Sequence, residues 1–143
     1  MCDMNTVRSP IAEKLARTIL PDDIFIGSAG VHAGERNPFV DFVLAEEGLS
    51  LGERQPRSVD DIEDAYFDLI ITLSPRAHHL AMEFTRTMAV EVEYWPTFDP
   101  TLVTGTREQR LIAYREMRDH LKNRILKRFL HADQGTREEQ NHS

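Results

Sequence analysis

The chain has 143 residues, 41% of them hydrophobic and 29% charged, the balance of one globular domain that can bury a core. Its net charge of −7 argues against non-specific nucleic-acid binding, and it shows no membrane-spanning or signal-peptide pattern. One cysteine excludes an internal disulfide and a Cys-based zinc site and fits a reducing, cytosolic setting, while six scattered histidines show no metal-ligand spacing, so neither metal nor other cofactor is expected.

The first element is a short loop running into a helix. Cys2, Asp3, Met4, Asn5, Thr6, Val7, Arg8 and Ser9 lead to Pro10. Ser9 reads as an N-cap and Pro10 as the first helical residue. Ile11, Leu15 and Ile19 recur every four residues, so the helix is expected from Pro10 to Leu20, with Pro21 as its stop. Chemically, the order suits an anion site. A thiolate at one end of such a loop can attack phosphorus. Loop N–H groups and the helix N-terminus can cradle phosphate oxygens. Arg8 can grip two oxygens with its planar fork, and these positive surroundings favour the thiolate of a cysteine placed there. The competing reading is a small buried cysteine ahead of an ordinary helix.

Residues 24–26 read as a short buried strand closed by Gly27, Ser28, Ala29 and Gly30. Asn37-Pro38 opens a second helix, with Phe39, Phe42 and Val43 on its apolar face and Gly48 as its stop. Residues 49–57 are irregular and carry Arg54 and Arg57, read as solvated surface. Ser58 with Asp61 resembles a capping box for a short helix. Residues 67–73 are the clearest strand, apolar enough to be covered on both faces. Ser74-Pro75 starts another helix, in which His78-His79 read as a solvated beginning. Residues 90–94 alternate like a half-buried edge strand.

A loop with Trp95, Pro96, Thr97, Phe98, Asp99 and Pro100 follows. Thr106 with Gln109 makes a further capping box. It opens a long helix whose stripe is Leu111, Tyr114, Met117, Leu121, Ile125 and Phe129. The domain is expected over residues 1–131, with a polar, disordered tail over 132–143. Helices alternating with apolar strands imply an α/β fold with a parallel sheet, whose ligand site lies beyond the carboxyl ends of the strands.

The loop from Cys2 to Ser9 followed by Pro10, the turn Ser28-Ala29-Gly30, the strand 68–73 and Asp99-Pro100 resemble, in order and spacing, the low-molecular-weight protein tyrosine phosphatases. The related thioredoxin-coupled arsenate reductases share that fold. The resemblance implies a three-layer α/β/α architecture with a small parallel sheet. It implies Cys2 as nucleophile, Arg8 as phosphate clamp and Asp99 as general acid. Asp3, Met4, Asn5, Thr6, Val7 and Ser9 would bind the substrate phosphate, Ser9 by hydrogen-bonding the thiolate and Asn5 by holding a positive φ.

Several features depart from the family. Its first central strand, before the cysteine, is missing here, since only Met1 precedes Cys2; a fragment or a misassigned start is expected. Thr101-Leu102 follow Asp99-Pro100 where aromatics are common. The loop after Gly30 has no large aromatic before Phe39, so Trp95 and Phe98 are the rings left to face a substrate. Glu53 and Arg54 stand where some members have a supporting histidine. The expected function is phosphomonoester hydrolysis, on a phosphorylated protein or a small phosphomonoester. The alternatives are an arsenate reductase drawing on an external thiol, or an inactive phosphate-binding remnant.

Overall fold

The computed structural model describes residues 1–2, 7–24, 26–30, 34–52 and 67–131. The elements are α1 (Arg8–Ile19), α2 (Pro38–Ala45), β1 (Leu69–Thr72), α3 (Pro75–Phe84), β2 (Glu91–Tyr94), a 3₁₀ turn (Pro100–Leu102) and α4 (Arg107–Ile125), extended by a π-helical segment (Leu126–His131). β1 and β2 pair in parallel from Leu69↔Glu91 to Thr72↔Tyr94, and α3 makes the crossover between them. The result is a three-layer α/β/α fold. α1 and α2 pack against α4 on one side, and α3 packs on the two strands.

Met1 and Cys2 continue this sheet beside β1. The Met1 amino group donates to the Ile71 carbonyl at 2.7 Å, and the Leu73 N–H donates to the Met1 carbonyl at 2.8 Å. On their other side the Cys2 N–H donates to the Ala29 carbonyl at 3.3 Å, and Cys2 bridges Gly30 in parallel. Residues 1–2 thus lie between the 29–30 segment and β1. The strand expected at 24–26 is not formed: Ile24 lies in a bend, 46% exposed, and Ile26 is irregular. Phe25, Arg54, Arg57 and the short helix after Ser58 lie outside the described residues, as does the 132–143 tail.

Helix starts follow local chemistry. Asn37 accepts from the Phe39 N–H at 2.9 Å, Ser74 accepts from the Ala77 N–H at 3.2 Å, and Thr106 and Gln109 close both halves of their capping box. Gly48, at φ +72°, ends the turn after α2 as a glycine can. Phe42 corrects the expected apolar face: it is exposed under the Arg107 guanidinium, while Val40, Val43 and Leu44 fill the core. The α4 stripe Leu111, Tyr114, Met117, Leu121 and Ile125 is buried and packs with Ile11, Leu15 and Trp95. His78 is another correction. It stacks on Tyr94 at 4.8 Å, with Nδ1 3.0 Å from Thr72 Oγ1, so it packs on the sheet, and only His79 is exposed.

A charged cluster pins the end of β2. The Arg128 Nε donates to Glu93 Oε2 at 2.8 Å, and the Trp95 indole N–H donates to Glu93 Oε1 at 3.2 Å. The Arg128 bond, opposed by burial and aided by Trp95, holds the Glu93 carboxyl below its usual range. Its native form therefore binds fewer protons than the unfolded chain, and this stabilisation is present above the ordinary glutamate pKa and lost as pH falls through the native one. Thermal melts from about pH 7 to about pH 3.5 should lose less stability in Glu93→Gln than in the parent. Equal acid slopes would show that the pair does not contribute.

Candidate active site

The carboxyl ends of the parallel strands gather the chemical groups, as expected for an open α/β sheet. Cys2 is positioned by backbone bonds on both flanks and is 3% exposed. Its sulfur lies 3.0 Å from Ser9 Oγ. The helix begins earlier than the sequence suggests. Val7, not Ser9, occupies the N-cap position, and Ser9 and Pro10 lie inside the first turn of α1. The Ser9 hydroxyl is engaged by the Cys2 sulfur. Val7 is buried and offers no side-chain acceptor to the first-turn N–H groups.

Arg8 is buried, and its Nη1 donates to the Thr97 carbonyl at 2.9 Å. Its Nη2 stands 4.0 Å from Asp99 Oδ2. Thr97 can receive the guanidinium because its own N–H donates to the Leu73 carbonyl at 3.2 Å, extending the ladder beyond β2. The Trp95 N–H donates to Thr72 O at 2.8 Å in the same way. Two chain segments 89 residues apart thereby meet at one guanidinium. Asp99 caps the 3₁₀ turn: its Oδ1 accepts from the Thr101 N–H at 2.9 Å and from the Thr101 hydroxyl at 2.6 Å.

The amino group of Met1 is pushed down to about 6, chiefly by burial; Cys2 raises it and Arg8 lowers it. Among the described residues no group of three or more His, Cys, Asp or Glu is arranged to hold a metal ion.

Cys2, Arg8, Ser9 and Asp99, singled out in the sequence, are thus brought together, and Val7 is buried at the start of α1. Asp3, Met4, Asn5 and Thr6 lie outside the described residues. Trp95 is a correction: at 2% exposure it is core, anchored by Glu93 and covered by Arg124, and cannot face a substrate ring. Phe98, 46% exposed beside Asp99, can. Thr97 and Thr101 were not foreseen. A carbonyl partner leaves no sequence signal, but a hydroxyl two residues after an Asp in a turn is a readable one.

A family model described as low molecular weight phosphotyrosine protein phosphatase matches residues 1–131. The chain belongs to that family. Among curated relatives of this phosphatase-family chain, an arsenate reductase of Bacillus licheniformis is 32% identical over 130 residues, covering 90% of this chain and 91% of the relative. Two solved structures share the fold. An arsenate reductase in the phosphate binding state superposes with a TM-score of 0.71 at 24% identity, over 87% of this chain and 88% of the other. The tyrosine phosphatase amsI of Erwinia amylovora gives 0.70 at 22% identity, over 88% and 85%. Family membership makes the chain an enzyme of the phosphatase and arsenate reductase group. No helix among the described residues is long and apolar enough to cross a membrane.

Proposed function

We propose that the protein is a phosphomonoester hydrolase, acting on phosphotyrosine in proteins or on small aryl phosphates through a cysteinyl-phosphate. The observation that carries this reading is the Asp99 carboxyl beside the Arg8 guanidinium, whose chain neighbour Ser9 meets the Cys2 sulfur. Expelling an alkoxide or phenoxide needs an acid there. The Cys2 thiolate attacks phosphorus, the S–P bond forms, and the P–O bond breaks with its electron pair going to the leaving oxygen. Asp99 protonates that oxygen. Water then attacks the thiophosphate, Asp99 takes its proton, and the S–P pair returns to sulfur, steadied by the Ser9 hydroxyl. Arg8 meets the charge on the transferring group. Cys2 is the only cysteine in the sequence, which supports hydrolysis over an internal thiol relay. A single reduced thiol as nucleophile suits a cytosolic setting.

A second reading, arsenate reduction completed by an external thiol, is favoured by the names of the curated relatives. The test offers purified protein p-nitrophenyl phosphate, a phosphotyrosine peptide, and arsenate with dithiothreitol or glutathione. Phosphate release from both esters is expected, and Asp99→Asn should lower kcat/KM for the phosphotyrosine peptide by about 10²-fold. Arsenate consumption without ester hydrolysis would reverse the order of the two readings, and inertness toward every substrate would leave a phosphate-binding remnant.

A further inference from the structure

The two oxygens of the Asp99 carboxyl have unlike surroundings. Oδ1 accepts two donors from Thr101, the backbone N–H at 2.9 Å and the hydroxyl at 2.6 Å. Oδ2 stands 4.0 Å from Arg8 Nη2. The Thr101 N–H can only donate, so it holds Oδ1 as an acceptor in either protonation state and favours Oδ2 for a carboxyl proton. A proton on this carboxyl therefore resides on Oδ2, the oxygen turned toward the site.

We propose that Thr101 is a positioning residue that fixes which oxygen of Asp99 delivers the proton. The proposal rests on the hydrolase reading above. With the hydroxyl in place, rotation of the carboxyl about its last bond would break a short hydrogen bond. The β-branched threonine also has few rotamers in which to lose it. At the first step the thiolate–phosphorus bond forms and the phosphorus–oxygen bond breaks. The electron pair goes to the leaving oxygen, which takes the proton from Oδ2. The carboxylate left behind keeps both Thr101 donors on Oδ1 and can recover a proton from water on Oδ2. Without the hydroxyl, the backbone N–H alone holds Oδ1, and the carboxyl swings between productive and unproductive settings.

The role predicts a dependence on the leaving group. p-Nitrophenolate departs with little protonation, whereas phenolate needs the acid. kcat/KM reports every step through P–O cleavage, so it is the quantity to compare. Thr101→Val should lower kcat/KM for phenyl phosphate about ten-fold and that for p-nitrophenyl phosphate less than about three-fold. Thr101→Ser, which keeps the hydroxyl, should restore the parent ratio. Thr101 is exposed, so both variants should fold, and melting curves check this; Thr101→Ala is a second hydroxyl-free variant. If Thr101→Val and Thr101→Ala lose equally on both esters, or Thr101→Ser behaves like Thr101→Val, the positioning role is wrong while the hydrolase reading stands. If the parent protein cleaves neither ester, both fall together.

Discussion

Cys2→Ser is expected to abolish turnover of every phosphomonoester, by at least about 10⁴-fold, while phosphate still raises the melting temperature. The reason is that a hydroxyl is a far weaker acid than a thiol. A serine hydroxyl is almost wholly un-ionised near neutral pH and attacks only when a neighbour takes its proton. The described neighbour of the Cys2 sulfur is the Ser9 oxygen at 3.0 Å, a hydroxyl that can steady a thiolate but cannot remove a proton from serine. Folding should survive, because Met1 and Cys2 are held by backbone bonds to Ile71, Leu73 and Ala29 that the substitution leaves in place. Phosphate contacts expected from Arg8 and the first turn of α1 would not need sulfur, so anion binding should persist. The readouts are initial rates on p-nitrophenyl phosphate and thermal melts with and without inorganic phosphate. Turnover within ten-fold of the parent would remove Cys2 from the nucleophile's role.

Elements whose cause is local were legible in the sequence. Asn37-Pro38, Ser74-Pro75 and the Thr106–Gln109 box each place a side-chain acceptor next to the N–H it satisfies, and all three helices start where those residues stand. The α4 stripe was legible because one helical face carries the core. What failed depended on distant partners. Ile24 and Ile26 have strand-like composition, but a strand needs a neighbour along its length, and the described ladder reaches only Cys2↔Gly30. Ser9 looks like an N-cap from its neighbours alone, yet it faces sulfur seven residues away. His78 looks solvated in the sequence, but the Tyr94 ring lies beside it through the pairing of β1 with β2. Trp95 lies in the acid loop and so looks substrate-facing in the sequence, but the ladder bond to Thr72 goes with a ring buried in the core. In the candidate site, motif order is enough to single out Cys2, Arg8 and Asp99, while the Thr97 carbonyl that accepts from Arg8 leaves no mark in the sequence.

Arg8→Lys is expected to lower kcat/KM by about 10³-fold with the charge retained. The guanidinium serves several groups from one plane. Nη1 donates to the Thr97 carbonyl at 2.9 Å and Nη2 stands 4.0 Å from Asp99 Oδ2, which fixes the orientation of the fork before any anion arrives. An ammonium is a single point with three donors. It can bond the Thr97 carbonyl or reach a phosphoryl oxygen, but it has no rigid plane to do both. The cost therefore falls on orientation, not on total charge, and Arg8→Lys should lose far more in kcat/KM than in affinity for inorganic phosphate. Thr97→Ala keeps the accepting carbonyl and should leave that affinity within about two-fold, a contrast that assigns the latch to the backbone. The decisive comparison is the double variant with Asp99→Asn. If Arg8 and Asp99 act on the same transition state across their 4.0 Å separation, the two losses will fall well short of multiplying together. Losses that multiply in full would mean that the two groups act independently, and that the guanidinium does not help place the acid.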